Sequence, residues 1–206
     1  TQTIENFSAE GFTGLVERKE ITNTYSDTGE HKAQAFTSRS LSYNGSGDFI
    51  EAQEVTYNAY DAYGNALDQE ISRFSDQGLA TILDTKLITN VYSDTLEHKG
   101  QVERSEIRSY DDLGSFIEAQ MITYSDYDAY GNAWNQMVKR YDSEDLIDTN
   151  LIDIREIANT YEGVGQHKAL AKSAAVVSKM PDGVTIIESQ VTAYSNYDNY
   201  GNARNQ

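Results

Sequence analysis

The chain is 206 residues long and contains no cysteine, one proline and one tryptophan. Without cysteine the chain forms no disulfide bonds and has no thiol chemistry, so its redox compartment cannot be inferred from bridges. No run of about 18 apolar residues occurs, and the sequence therefore predicts no membrane insertion.

Basic residues are also scarce. Lys and Arg number 16 against 33 Asp and Glu, which gives a formal net charge of −17 at pH 7. Such an excess of negative charge argues against nucleic acid or anionic membranes as partners, because both recruit Lys and Arg clusters. No cofactor is predicted, although calcium is compatible with so many carboxylates, which are the oxygen ligands that hard cations prefer.

Three stretches of the chain are nearly identical and indicate an internal repeat. They read EAQEVTYNAYDAYGNALDQ, EAQMITYSDYDAYGNAWNQ and ESQVTAYSNYDNYGNARNQ, and they begin at Glu51, Glu118 and Glu188. The first two begin 67 residues apart and the last two 70 residues apart. Repetition argues against a unique active centre, because each candidate catalytic residue has copies in the same local context.

A shorter unit recurs within each long repeat: an aromatic residue followed four places later by a turn residue. Twelve such units occur at spacings of 14 to 20 residues, with Lys179 in place of the aromatic in one of them. Glycine holds the turn position in ten units, and these are the predicted turn glycines: Gly11, Gly29, Gly47, Gly64, Gly78, Gly114, Gly131, Gly165, Gly183 and Gly201.

The residue after the aromatic explains why each unit predicts a turn. In the best-conserved units this residue is Asp61, Asp128 or Asp198. An Asp side chain can accept a hydrogen bond from the backbone two residues on and so open a type I turn. Glycine at the fourth position supplies a positive φ, which completes the common three-residue hairpin loop with a bulge.

The sequence between the turns favours strands. Residues 79–91 are rich in threonine and branched aliphatic residues with partial alternation, and no window has the 3.6-residue period of an amphipathic helix. We therefore predict an all-β repeat array joined by type I plus glycine turns, in an antiparallel ribbon or coiled sheet. The alternative is a parallel β-solenoid in which the turns are corners, but its 67-residue coil would be unusually long.

The repeat predicts three four-strand modules. A partial strand over residues 1–6 continues the register, and the modules span residues 7–73, 74–140 and 141–206, the last one truncated. Thr1-Gln2 matches Asn205-Gln206, and residues 3–6 match the strand end that the third module lacks. This register predicts head-to-tail assembly, either of separate copies into filaments or of repeats within a longer array.

The motifs YSDYDAYGNAWNQ and YDSEDLIDT resemble the YD-repeat family of bacterial Rhs-type and teneurin-like proteins. The pattern of that family is Tyr-x-Tyr-Asp-x-x-Gly with a following Arg or Asn. Residues Tyr127 to Asn132 match it, as do Tyr60 to Asn65 and Tyr197 to Asn202, whereas the usual Gly-Arg-Leu is absent. The resemblance implies β-strand ribbons of extracellular or surface-associated proteins. The autoproteolytic core and toxin domain of Rhs proteins are not recognisable in this sequence.

Nine tyrosines form triads at i, i+3 and i+6 within the three long repeats. Aromatic residues at strand ends pack across strands in most sheets, and rows of them can also stack on sugar rings. The sequence favours packing and leaves glycan binding as the alternative role. The nine residues are Tyr57, Tyr60, Tyr63, Tyr124, Tyr127, Tyr130, Tyr194, Tyr197 and Tyr200.

Three histidines, His31, His98 and His167, recur at one position of the repeat. A column of histidines could bind a transition metal, but no second type of ligand accompanies them. We interpret them as strand residues copied by duplication and predict no metal site.

No motif predicts an enzyme. The repeated Glu at the start of each long repeat has no matched acid partner, which hydrolysis of glycosidic bonds requires. We therefore expect a structural repeat segment of an extracellular fibre, stalk or surface-layer protein, whose partner is a second copy of itself. The alternatives are an adhesin segment that binds cell-surface glycans through its tyrosines and a wall-active hydrolase with a β-helical body.

Overall fold

The structure is a computed structural model that describes residues 1–7, 14–26, 33–94, 100–128, 130–161, 170–197 and 203–205. These residues contain β-strands and one short 3-10 turn at Asp148–Asn150, with no α-helix among them. The strands are β1 (Gln2–Phe7), β2 (Leu15–Tyr25), β3 (Ala35–Asn44), β4 (Phe49–Tyr60), β5 (Ala66–Phe74), β6 (Ile82–Tyr92), β7 (Val102–Asp111), β8 (Phe116–Tyr127), β9 (Ala133–Tyr141), β10 (Leu151–Tyr161), β11 (Ala171–Lys179), β12 (Ile186–Ala193), β13 (Ser195–Tyr197) and β14 (Ala203–Asn205).

The strand order confirms the predicted all-β, antiparallel arrangement. One sheet contains β1 to β12 in chain order, and β13 and β14 form a second, two-stranded sheet. A parallel solenoid would require Glu51–Tyr57 to pair with Glu118–Tyr124. Instead, residues 51–57 pair antiparallel with β3 and β5, because two-strand hairpins with short turns place successive strands side by side.

The chain divides into two compact units, and the first comprises residues 1–90 and 107–117. Within it, the ladder from β1 to β6 aligns residues in rows across the strands. In one such row, Ala52 of β4 lies opposite Leu41 of β3 and Phe74 of β5. Side chains of one row share a face, so this row and the buried Tyr43 form the small apolar core of the unit.

The second unit comprises residues 91–106 and 118–206. Its ladder from β8 to β12 repeats the row of the first unit, with Ala119 opposite Tyr141 in place of Ala52 opposite Phe74. Ala119 and Tyr141 are both fully buried, with 0% of their surface exposed. The compact units do not follow the boundaries of the predicted modules, which stay a sequence-based prediction.

Side-chain hydrogen bonds fix one connection of the first unit. The β5–β6 connection is held by Asp76, whose carboxylate accepts hydrogen bonds from the backbone N–H groups of Gly78, Ala80 and Thr81. The guanidinium of Arg39 donates to the backbone carbonyl of Gln77 in the same connection. This bond ties the turn to β3 in the unit that contains Phe74.

Candidate functional site

The Tyr-Asp-x-x-Gly motif forms the hairpin turn between β4 and β5. Asp61 Oδ1 accepts hydrogen bonds from the backbone N–H groups of Tyr63 and Asn65, both at 2.8 Å. The side-chain amide of Asn65 donates to Asp61 Oδ2, also at 2.8 Å. Desolvation raises the pKa of Asp61, but these hydrogen bonds from Asn65 and Tyr63 outweigh it, and the pKa lies below its ordinary value.

The same turn is repeated in the second unit. Asp128 Oδ1 accepts from the N–H groups of Tyr130 at 2.8 Å and Asn132 at 2.9 Å, and the Asn132 amide donates to Asp128 Oδ2 at 3.0 Å. The Asx-type hydrogen bonds predicted from the sequence are thus present at Asp61 and Asp128. Asn44 and Asp111 make the same two backbone contacts in the β3–β4 and β7–β8 turns.

The described turn glycines differ in conformation. Five of them have the positive φ that the turn requires: Gly47 (86°), Gly64 (89°), Gly114 (77°), Gly131 (84°) and Gly183 (70°). Gly78 is an exception, and the prediction of a positive φ there is wrong. In its longer turn Leu79 has the positive φ of 60°, because the turn places the left-handed residue one position later. Gly11, Gly29, Gly165 and Gly201 lie outside the described residues.

Two glycines also have a packing role that sequence reasoning missed. A Cβ atom added to Gly64 would lie 3.0 Å from the side-chain nitrogen of Gln34, and one added to Gly131 would lie 3.4 Å from that of Gln101. The two glutamines are half-buried, and their side-chain oxygens are buried without a hydrogen-bond partner among the described residues. Gln follows both Ala33 and Gly100, which are equivalent positions of the repeat. This recurrence is the sequence signal that could have indicated the contact.

The inner tyrosines of the triads have structural contacts. The rings of Tyr57 and Tyr60 stack with centroids 5.9 Å apart and planes inclined by 23°. The Tyr60 hydroxyl donates to the backbone carbonyl of Ala35 at 2.5 Å, and the Tyr127 hydroxyl donates to that of Val102. Burial, followed by the neighbouring Tyr57, raises the pKa of Tyr60, and burial likewise raises the pKa of Tyr127.

The outer tyrosines are placed differently. Tyr63 and Tyr130 lie at the tips of the two turns and expose 66% and 51% of their surface. Tyr124 is half-buried in β8, and Tyr194 is half-buried next to the end of β12. Tyr197 lies in β13 by its backbone, and Tyr200 lies outside the described residues. The first two triads, which are fully described, therefore each contain one hydrogen-bonded hydroxyl and one exposed ring.

A pair of charge clusters was not identified from the sequence. Arg73 of β5 forms an ion pair with Asp84 of β6 and another, at 3.5 Å, with Glu51 of β4. In the second unit Arg140 pairs with Asp153 and, at 3.6 Å, with Glu118.

Each cluster shifts the pKa of its aspartate. Hydrogen bonds from Arg73 and Arg140 hold the pKa of Asp84 and Asp153 below the ordinary value, against the opposing effect of burial. Glu51 and Glu118 therefore belong to cross-strand ion pairs.

Other candidate chemistry receives no support from the described part of the chain. The three repeated histidines, His31, His98 and His167, lie outside it. Within it, no three His, Cys, Asp or Glu side chains are grouped so as to hold a metal ion. None of its helices has the length and apolar character of a membrane-spanning segment.

Comparison with known proteins identifies no family for this chain. No family model matches it, and no curated protein matches it. Among solved structures, a Tc holotoxin pore of Photorhabdus luminescens is similar over 95% of this chain and 15% of its own, with 12% identity and a TM-score of 0.18. A similarity this weak carries no argument about fold or function.

Proposed function

We propose that this chain is a structural repeat segment of an extracellular fibre, stalk or surface layer, of the YD-repeat kind, and that it assembles end to end. Its role is then mechanical and not enzymatic. The observation that carries the proposal is the pair of outer strands. Among the described strands, β1 pairs only with β2 and β12 pairs only with β11.

The composition of these outer strands supports assembly. Soluble proteins protect the edges of their sheets with lysine, proline, bulges or very short strands. Neither QTIENF in β1 nor IIESQVTA in β12 contains lysine or proline. Ile186, Ile187 and Val191 of β12 expose more than half of their surface. The unpaired edge of such a strand can form hydrogen bonds with a strand of another chain.

The tyrosine motif fits a structural role. Tyr60 and Tyr127 each cross to a backbone carbonyl at the start of the preceding strand, 25 residues earlier in the chain. The same contact in both units indicates that duplication preserved a stabilising bond, as expected for a module whose purpose is to be stacked.

The test is self-association in solution. The purified chain should form oligomers in sedimentation velocity as its concentration rises, in about 0.15 M salt, where the Debye length is about 8 Å and the charge of −17 on each copy is screened. Val191→Glu places a negative charge on the outer strand of an already acidic chain and should restore the monomer. Val184→Glu, in the exposed β11–β12 turn, is the matched control and should leave association unchanged. A monomer at every concentration contradicts the proposal.

The alternative function is glycan binding by an adhesin segment, and the exposure of Tyr63 and Tyr130 favours it. A glycan array should then give a signal that the double variant Tyr63→Ala and Tyr130→Ala abolishes. Tyr25→Ala removes an equally exposed tyrosine outside the triads and should leave binding intact.

A further inference from the structure

The joint between β4 and β5 is repeated in the joint between β8 and β9. In the first, Ala52 lies opposite Phe74 and Gln53 lies opposite Arg73. In the second, Ala119 lies opposite Tyr141 and Gln120 lies opposite Arg140. The strand that follows the turn reads QEISRF in one unit and QMVKRY in the other. The register of this joint is therefore a property of the repeat.

The two strands of this joint have a third copy each, but at opposite ends of the strand order. β12 is the copy of β4 and β8, and it contains Glu188 at the position of Glu51 and Glu118. β1 reads QTIENF and is the copy of β5 and β9, with Asn6 at the position of Arg73. The start of the partner strand is present as β14, which copies Ala133–Asn135 and pairs with β13 in the register of the joint. The part of that strand that would lie beside β12 is absent from the described residues, and β1 carries the matching sequence.

The polar contacts of Asn6 match this assignment. Its side-chain amide donates to Glu17 on β2 at 3.2 Å. Glu17 stands at the position of Asp84, which pairs with Arg73 in the complete joint. The second carboxylate of the complete cluster is Glu51. The side chain of its copy, Glu188, makes no hydrogen bond or ion pair in the described part of the chain, although its backbone pairs with Ser178. Asn6 therefore makes one of the two carboxylate contacts that Arg73 makes at the equivalent position.

We infer that the outer edge of β12 takes β1 of a second copy of this chain, in the register of the β4–β5 joint. Gln190 then lies opposite Asn6, Val191 opposite Glu5 and Thr192 opposite Ile4, and Glu188 lies diagonally next to Asn6. This inference rests on the proposed end-to-end assembly and specifies its interface.

The side chains of the inferred joint are compatible with this register. None of its opposed pairs carries two like charges, since the only charged residue of β1, Glu5, faces Val191. Glu5 also lies opposite Arg18 of its own copy, which compensates its charge. Like charges directly opposite each other would destabilise a strand pair.

The first experiment measures affinity. Asn6→Arg restores the cation found at residues 73 and 140, so that it can bridge Glu17 of its own copy and Glu188 of the next. An exposed ion pair of this kind should tighten association about threefold in sedimentation equilibrium. The double variant Asn6→Arg and Glu188→Gln should lose this gain. A gain that persists without Glu188 overturns the inferred register.

The second experiment measures the register of the joint by disulfide cross-linking. Because the chain contains no cysteine, only the introduced cysteines can form disulfides. Asn6→Cys mixed with Gln190→Cys, and Glu5→Cys mixed with Val191→Cys, should form intermolecular disulfides under mild oxidation, because opposed Cα atoms in antiparallel strands lie within disulfide range. Thr3→Cys mixed with Val191→Cys tests a slip of two residues. The double variant Glu54→Cys and Ser72→Cys, which are opposed within the chain, is the positive control.

The outcomes separate the two proposals. Association with cross-links at the expected pairs supports both. Association with cross-links only at the slipped pair, or at neither pair, overturns this inference and leaves end-to-end assembly standing. A chain that stays monomeric overturns both, and the next repeat of a longer chain is then the remaining source of a partner strand.

Discussion

The hydroxyl of Tyr60 donates a hydrogen bond to the backbone carbonyl of Ala35, 25 residues earlier in the chain, at 2.5 Å. The bond connects the end of β4 to the beginning of β3. It therefore closes the open end of the β3–β4 hairpin, opposite its turn. Tyr127 and Val102 repeat it.

Removing this hydroxyl should weaken the fold. We expect Tyr60→Phe and Tyr127→Phe each to lower the free energy of unfolding by about 1 kcal/mol, because each loses one hydrogen bond and keeps its ring. Urea denaturation measures the change. Tyr57→Phe is the control, since its hydroxyl has no hydrogen bond in the described structure and its ring still stacks on Tyr60. Equal losses in all three variants would refute the role of the bond.

The turn glycines should tolerate no branched side chain. Gly64→Val and Gly131→Val are expected to destabilise the protein by about 1–3 kcal/mol, because a β-branched residue is strained at a φ near 85°. Gly114 has a similar φ, but a Cβ there meets no atom within 4 Å. The excess cost at Gly64 over Gly114 therefore measures the contact with Gln34, and Gln34→Ala should remove the excess. Unchanged melting of Gly131→Val would show that the turn is assigned wrongly.

The positions of Ala33 and Gly100 are equivalent in the repeat and should respond oppositely to exchange. Ala33 has a φ of 68° and Gly100 one of 80°, a region that costs an L-residue about 1 kcal/mol. Ala33→Gly should therefore raise the melting temperature and Gly100→Ala should lower it. Differential scanning calorimetry of the two variants is the measurement, and a shift of the same sign in both would contradict this explanation.

Tyr141 is fully buried, and its hydroxyl has no hydrogen-bond partner among the residues that the structure describes. The equivalent residue in the preceding unit is Phe74, which is also buried. We expect Tyr141→Phe to stabilise the protein by about 1 kcal/mol, because an unsatisfied buried hydroxyl carries a desolvation cost. The reciprocal Phe74→Tyr should destabilise it. A loss of stability in Tyr141→Phe, measured by urea denaturation, would reveal a hydrogen bond to water.

The arginine clusters should make stability depend on acidity. The pKa values of Asp84 and Asp153 are lower in the folded protein than the ordinary 3.8, since Arg73 and Arg140 hydrogen-bond to the charged carboxylates. Their contribution is present above pH 3.8 and is lost as the pH falls through the lower folded pKa values.

Unfolding free energies measured between neutral and acid pH test this dependence. Asp84→Asn and Asp153→Asn should reduce the loss of stability on acidification. Glu70→Gln, which removes an exposed carboxylate that has no arginine partner among the described residues, should retain this loss. An identical acid profile in all variants would contradict a role for the clusters.

The sequence by itself determined the hairpins of this protein. Asp61 and Gly64 specify their turn through hydrogen bonds and a backbone angle that involve only five consecutive residues. Such local chemistry is readable without neighbours, and short turns between strands impose antiparallel pairing. Gly78 was predicted wrongly because its turn is longer, and its length moves the left-handed position to Leu79.

Only the tertiary structure decided which residues meet across the strands. Arg73 contacts Asp84 and Glu51 because the register of two separate joints places them together, and a shift of one residue would turn each side chain to the other face. The same holds for Gln34 beside Gly64 and for Tyr60 at Ala35. These contacts depend on the geometry of the assembled sheet, which the order of residues along the chain does not display.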